Sequence, residues 1–66
     1  MSPIERIRRD RLKLTQAQFA QLCGVVQATV SRWERGELEP RRADIAKIIA
    51  AVPKAKLKPA DFFEAA

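Results

Sequence analysis

The two glycines of this 66-residue chain constrain its fold most, because each one follows a short segment with helical hydrophobic spacing. Gly24 follows residues 16–23, in which Phe19, Leu22 and Cys23 share one side, and Gly36 follows residues 27–35. Glycine readily adopts the left-handed backbone conformation in which helices commonly end. The spacing therefore predicts two short helices, over 16–23 and 27–35, each ended by a glycine.

Hydroxyl residues mark the beginnings of two helices. Ser2 precedes Pro3 and stands three residues before Glu5, and Thr15 stands three residues before Gln18. Both arrangements have the order of a capping box, in which the hydroxyl and the later side chain satisfy each other's backbone N–H groups. We predict a first helix from Pro3 to about residue 13 and a second that begins at residue 16. The apolar stripe of the first helix is formed by Ile4, Ile7 and Leu12. The rest of its surface is basic, with Arg6, Arg8, Arg9, Arg11 and Lys13.

The second half of the chain predicts one longer helix and one short turn. Apolar residues follow the i, i+3, i+4, i+7 spacing of a helix over residues 41–52, at Ile45, Ile48, Ile49 and Val52. Pro53 ends this helix because proline has no N–H to donate, and Pro59 begins a final helical turn over residues 59–64. No segment alternates as a strand does. The expected fold is all-α, a compact bundle of about five short helices in a single domain over residues 1–66.

Composition excludes several classes of function. The 13 Lys and Arg against 8 Asp and Glu give a net charge of +5, which favours an anionic partner such as nucleic acid. A single Cys23 and no histidine exclude a disulfide framework and a Cys/His zinc site, so we expect no metal or cofactor. The chain has no paired carboxylates in a usable arrangement and no phosphate-binding glycine loop, so we expect no enzyme activity. It lacks an apolar run that could span a membrane, and a cytoplasmic location is expected.

Residues 16–35 satisfy the steric rules of a helix-turn-helix, two helices joined by a short turn. Ala20 provides a small side chain where the two helices cross, and Gly24, four positions later, permits positive φ in the turn. The positions that such a unit must bury all carry apolar side chains, which are Phe19, Cys23, Val25, Val30 and Trp33. A core position for Trp33 and Cys23 is therefore expected.

The chain resembles the phage Cro and repressor type of helix-turn-helix family, also called the xenobiotic-response-element type. The matching residues are Leu14-Thr15-Gln16, Phe19-Ala20, Gly24-Val25, Thr29-Val30-Ser31-Arg32-Trp33-Glu34, Gly36 and Pro40. The sequence Pro-Ala-Asp-Phe-Phe near the C-terminus is more loosely similar to the last helix of such domains. The resemblance implies a bundle of five helices, a lambda-repressor-like fold, whose third helix enters the major groove of double-stranded DNA.

The resemblance also implies which side chains contact DNA. The base-reading positions of the third helix correspond to Gln27, Ala28, Ser31 and Arg32. Glutamine can bond adenine, arginine can bond guanine, and an alanine methyl can contact a thymine methyl. Contacts with phosphate or the minor groove are implied for Gln16, Arg35, Arg41 and Arg42.

Three positions depart from the family pattern. Val26 stands where the family usually has a Ser or Thr N-cap, so the start of the third helix lacks a side-chain acceptor. Glu37 and Glu39 place negative charge in a loop that is often basic, so this loop should contribute less to DNA affinity. Many members pair an arginine of helix 1 with the residue that is Glu34 here, and the partner could be Arg8 or Arg9.

These observations predict a transcriptional regulator of Cro or prophage-repressor type, which occupies a palindromic operator as a homodimer and needs no small-molecule ligand. The dimer contact is expected at Leu57, Phe62 and Phe63, with one of the two phenylalanines in the core and the other at the contact. If the 66 residues are a whole protein, they leave no room for a ligand-sensing or self-cleaving domain. The alternative is an antitoxin-like protein-interaction module, although antitoxins usually add a toxin-wrapping tail and none follows Glu64.

Overall fold

The computed structural model describes residues 2–63, which form four α-helices and three further helical segments. The α-helices are α1 (Pro3–Arg6), α2 (Gln16–Cys23), α3 (Gln27–Glu34) and α4 (Arg42–Ala51). A π-helical turn over Ile7–Arg11 continues α1, and 3₁₀ turns over Pro53–Ala55 and Pro59–Phe62 follow α4. The all-α class is confirmed, and no strand occurs between residues 2 and 63. The predicted count of about five helices is slightly high, because the last turn is a 3₁₀ segment.

The first helix begins as predicted and ends earlier than predicted. The Ser2 hydroxyl accepts a hydrogen bond from the Glu5 amide at 3.1 Å, which caps α1. At the other end, the Leu12 amide donates to the Ile7 carbonyl at 2.9 Å, the i→i+5 bond of a π-turn. Lys13, where the helix was predicted to end, has φ of +56°. The left-handed backbone of Lys13 cannot continue a right-handed helix, so helical structure ends at Arg11.

The bounds of α2 are those predicted from the sequence. The Gln18 amide donates to the Thr15 hydroxyl at 3.1 Å, and the Thr15 amide donates to the Gln18 side-chain oxygen at 2.9 Å, which completes the capping box. Gly24 ends the helix with φ of +72°. A Cβ at Gly24 would lie 3.4 Å from the amine of Lys47, so the left-handed φ, more than a lack of space, favours glycine there.

The helices α3 and α4 are each slightly shorter than predicted. α3 ends at Glu34, one residue early, because Arg35 occupies the C-cap position before Gly36 at φ of +77°. α4 begins at Arg42 because Arg41 has the extended backbone of an N-cap residue. The Asp44 carboxylate accepts from the Arg41 amide at 2.9 Å and so caps this helix. No side chain caps the start of α3, as expected from Val26 at its N-cap position.

The core lies where α1, α2, α3 and α4 meet the chain that follows α4. Ala20 is buried where α2 packs on α3, and Cys23 and Trp33 occupy core positions as predicted. The buried apolar residues are Ile4, Ile7, Phe19, Ala20, Cys23, Val30, Trp33, Ile45, Ile48, Leu57 and Phe62. Partly buried Leu12, Leu22, Val25, Ile49 and Val52 pack around this cluster. None of the helices in residues 2–63 is long and apolar enough to cross a membrane.

The expected dimer contact requires a correction. Leu57 and Phe62 are each only 5% exposed and belong to the core cluster, and the Pro59–Phe62 turn packs against α1 and α4. Phe63 is 63% exposed. Neither Leu57 nor Phe62 is therefore available on the surface, and Phe63 is the exposed member of the predicted set. The predicted end of the last helical turn, at Glu64, lies outside the described residues.

Candidate nucleic-acid interface

The outer side of α3 presents most of the side chains expected to read bases. Val30 and Trp33 point into the core, so the helical repeat turns Ala28 and Arg32 to the opposite side. Both of these residues and Gln27 are exposed, whereas Ser31 is half-buried. An eight-residue helix with one exposed polar face fits the width of the DNA major groove.

A chain of hydrogen bonds fixes the position of Gln27 relative to α2. The Gln27 side-chain amide donates to the Gln16 oxygen at 3.4 Å, and the Gln16 amide donates to the Glu34 carboxylate at 3.0 Å. Gln16, expected to contact phosphate, is therefore half-buried between two residues of α3. Its side chain links the start of α2 to both ends of α3. The sequence analysis did not predict this link. The signal that could have indicated it is the presence of a glutamine at the first position of each of the two neighbouring helices.

The same carboxylate connects α3 to the first helix. Arg8 Nε lies 2.6 Å from Glu34 Oε2, and Arg8 Nη2 donates to Glu34 Oε1 at 3.2 Å. Arg8 Nη1 also donates to the Leu14 carbonyl at 2.8 Å, so this guanidinium is bonded on several sides. Arg9 instead pairs with Glu5 on the surface at 2.9 Å. The alternative that the sequence left open is thereby decided in favour of Arg8.

The predicted backbone-contacting arginines occupy different surroundings. Arg41 is largely exposed, and its Nε lies 3.6 Å from Asp44 Oδ2 at the start of α4. Arg41 and Thr29 line one shallow cleft, which places Arg41 on the α3 side of the molecule. Arg42 lines an apolar groove with Ile49 and Phe63 instead. Arg41 thus shares a cleft with Thr29 of α3, whereas the groove lined by Arg42 includes no residue of α3.

Glu37 lies beside two arginines of this surface. Arg35 Nε is 2.9 Å from Glu37 Oε2, and Arg32 Nε is 3.9 Å from Glu37 Oε1. The sequence predicted only that Glu37 would weaken the contribution of its loop. It did not indicate that the carboxylate would contact Arg32, the residue expected to read guanine.

Cys23 has no exposed surface and an altered acidity. Burial raises the pKa of the Cys23 thiol, the nearby Asp44 carboxylate adds to the rise and Lys47 partly opposes it, and together they bring the pKa to about 11. The thiol is therefore protonated at neutral pH, and a protonated thiol is a poor nucleophile. Residues 2–63 contain no cluster of acidic or cysteine side chains that could hold a metal ion.

Three large apolar side chains of residues 2–63 are exposed, and two of them lie together. Val26 precedes α3, whereas Leu38 and Phe63 line one cleft of about 310 Å³ beside Trp33. Leu38 lies in the loop between α3 and α4 and was not singled out from the sequence. Leu38 does not belong to a helical pattern of apolar residues. Only the packing of its loop near the C-terminal segment shows that it lines this cleft.

Comparisons with known proteins identify the family. A model of the family described as "Helix-turn-helix" matches residues 4–54. The chain is 36% identical over 47 residues to repressor protein C2 of Salmonella phage P22, covering 71% of this chain and 22% of the phage protein. It is 40% identical over 45 residues to the type II methyltransferase M.SsoII of Shigella sonnei, covering 64% of this chain and 12% of the enzyme. The matched part of the chain thus spans about a fifth of the length of the phage repressor and about an eighth of the length of the methyltransferase.

No solved structure matches the chain. The family model covers well over half of the 66 residues and includes all of α2, α3 and α4. The similarity to a phage repressor agrees with the motifs quoted from the sequence. The chain belongs to the helix-turn-helix family, of the phage Cro and repressor type.

Proposed function

We propose that this chain is a sequence-specific DNA-binding transcriptional regulator that occupies an operator with α3 in the major groove. The observation that carries the proposal is the outer face of α3, where Gln27, Ala28 and Arg32 are exposed together. Gln27 and Arg32 are side chains that can distinguish bases by hydrogen bonds. The net charge of +5 favours approach to the phosphate backbone. Occupancy of DNA, without a catalysed reaction, is the proposed mode of action.

The orientation of α3 supports reading of bases over loose electrostatic attachment. Gln27 is bonded to Gln16, and Glu34 at the other end of α3 is bonded to Arg8. A helix connected to its neighbours in this way presents its side chains in a narrower range of orientations, which lowers the ordering cost of binding. The relative named as a phage repressor is consistent with control of transcription.

We further propose that two copies bind a palindromic operator. A helix of eight residues contacts only a few base pairs, which is too little information to define one site in a genome. Two-fold pairing doubles the site, with half-site centres about 34 Å apart, one turn of DNA. The proposed contact is the cleft lined by Leu38 and Phe63, because both side chains are apolar and exposed and Leu38 follows α3 closely.

The test is selection of bound sequences from a random duplex pool, followed by titration of the selected DNA at low and physiological salt. We expect an enriched palindrome and an affinity that falls steeply with salt, because bound phosphates release counterions. Ala28→Glu should abolish binding, whereas Ala51→Glu should not. Both alanines are exposed on helices and both changes remove one unit of net charge, so the difference reports the α3 face. A pool with no enriched sequence, or equal binding by the two variants, would exclude this function.

A further inference from the structure

Glu37 is fixed next to Arg32 by the backbone as well as by charge. The Glu37 amide donates to the Arg32 carbonyl at 3.0 Å, and the Gly36 amide donates to the Trp33 carbonyl at 3.2 Å. With Gly36 in the left-handed conformation, these bonds form the closing turn that commonly ends an α-helix. The position of Glu37 relative to Arg32 is therefore set by the end of α3, and does not depend on a mobile loop.

The carboxylate of Glu37 is bonded to Arg35 and lies near Arg32. Its Oε2 lies 2.9 Å from Arg35 Nε and its Oε1 accepts a hydrogen bond from Arg35 Nη2 at 3.4 Å, while Arg32 Nε lies 3.9 Å from Oε1, a charge contact longer than a hydrogen bond. The contact with Arg32 is thus made through Nε, the nitrogen nearest the backbone. The two terminal nitrogens of Arg32 are the pair that can bond N7 and O6 of one guanine. A carboxylate on Nε therefore leaves the base-reading edge of the guanidinium available.

Two opposite effects on DNA binding follow from this placement. A carboxylate near the backbone repels phosphates of any sequence, which lowers the affinity for all DNA alike. Restricting a flexible arginine to an orientation that suits guanine raises the binding affinity only for DNA that has guanine at that position. All three side chains are more than half exposed, so the ion pairs add little to folding stability. Their effect is expected in DNA binding.

We propose that Glu37 is a positioning residue that determines base specificity, because its carboxylate attracts the Nε side of the Arg32 guanidinium and leaves the terminal nitrogens directed to guanine. The inference rests on the proposed function. Glu37 lowers the affinity for every duplex and raises the preference for guanine at the position that Arg32 reads.

Glu37→Gln and Glu39→Gln form a matched pair for the test. Both residues are exposed acids of the same loop, and each change adds one unit of net charge. Among residues 2–63 Glu37 is the member of the pair with a salt bridge to Arg32. Each variant is titrated with the selected operator and with an operator in which the guanine read by Arg32 is replaced. That guanine is the position at which Arg32→Ala loses its preference.

We expect Glu39→Gln to strengthen binding to both duplexes by the same factor and therefore to leave the ratio of their affinities unchanged. Glu37→Gln should strengthen binding to the replaced duplex more, so that the ratio falls about five-fold, the size of one coupled contact. In an Arg32→Ala background, neither Glu37→Gln nor Glu39→Gln should change the affinity ratio of the two duplexes. The inference would be overturned if both single variants changed the affinity ratio equally, or if Glu37→Gln still lowered that ratio in the Arg32→Ala background. The proposed function would stand in either case. Failure of the wild-type protein to enrich any sequence would overturn both.

Discussion

At the scale of single residues, the surroundings of a side chain decide its role more than its type does. Arg8, Arg9 and Arg32 are all arginines on helices or their continuations, yet one is largely buried against Glu34, one pairs with Glu5 on the surface, and one faces outward beside Glu37. Trp33 and Phe63 differ in the same way, since Trp33 is in the core and Phe63 is exposed. Substitutions at these positions should therefore separate folding from DNA binding.

Arg32→Ala should relax base preference at one position of the operator and cost about 1 to 3 kcal/mol of binding free energy there. Arg32 lies on the outer side of α3, whereas Arg41 is exposed at the start of α4. Arg41→Ala should accordingly weaken binding to all sequences by a similar factor. Sequence profiles from pool selection with each variant measure the difference. Identical profiles for wild type and Arg32→Ala would show that Arg32 does not read a base.

Stability should fall at high pH because of Cys23. Its pKa is raised from the ordinary value of 9.0 to about 11 in the folded protein, so the folded state holds the thiol proton more tightly than the unfolded state does. The stabilisation is complete below pH 9 and is lost as the pH rises from 9 to 11. Urea unfolding at pH 8, 9, 10 and 11 should show this loss in wild type and a weaker one in Cys23→Ala. Parallel curves would indicate that the thiol titrates normally.

At the scale of the elements, α3, the proposed recognition helix, is stabilised by its neighbours more than by its own N-terminus. Thr15 caps α2 and Asp44 caps α4, but α3 begins at Val26 without any side-chain cap. Its C-terminal end is instead tied to the first helix through Glu34 and Arg8. The orientation of α3 therefore depends on a contact with a segment far away in the chain.

Arg8→Met should destabilise the domain by about 3 to 5 kcal/mol, because it leaves the largely buried Glu34 carboxylate without its charged partner. The matched variant Arg9→Met removes an exposed pair with Glu5 and should cost less than about 0.5 kcal/mol. Thermal unfolding followed by circular dichroism compares the two. Equal losses would mean that the Arg8–Glu34 pair does not hold the helices together.

Val26→Thr should stabilise the domain by about 1 kcal/mol, because a threonine hydroxyl at the N-cap can accept from a free amide of the first turn of α3. Val26 is 67% exposed, so little buried contact is lost. Val26→Ala, which supplies no acceptor, is the control and should leave the melting temperature near that of wild type. An increase with alanine as large as that with threonine would exclude capping as the cause.

At the scale of the whole molecule, a small core limits what the fold tolerates. The described residues have extents of 28 × 25 × 22 Å and bury eleven apolar side chains. A core of this size rarely supplies more than about 3 to 5 kcal/mol. Phe62 is buried and Phe63 is exposed, so substitution of these two adjacent phenylalanines should affect stability very differently.

Phe62→Asp should unfold the domain, because it places a charge in the core. Phe63→Asp should leave the melting temperature nearly unchanged and abolish cooperative binding to the palindromic operator, since Phe63 lies at the proposed pairing cleft. Circular dichroism and titration of operators with one or two half-sites measure the two properties. Cooperative binding by Phe63→Asp would exclude this cleft as the dimer contact, and α4 would become the next candidate.

The sequence alone determined the features that depend on neighbours a few residues apart. Ser2 with Glu5, and Thr15 with Gln18, predicted the starts of two helices, and the glycines predicted where α2 and α3 end. Apolar spacing within each helix also predicted which side faces the core. These interactions span at most one or two helical turns, so the local sequence contains all the information they need.

Only the tertiary structure decided which distant side chains meet. The choice of Arg8 over Arg9 as the partner of Glu34, and of Phe62 over Phe63 for the core, depends on how segments more than 20 residues apart pack. Adjacent residues on a helix or turn differ by about 100° in direction, so a small rotation of one element exchanges their roles. That rotation is fixed by the packing of the whole core.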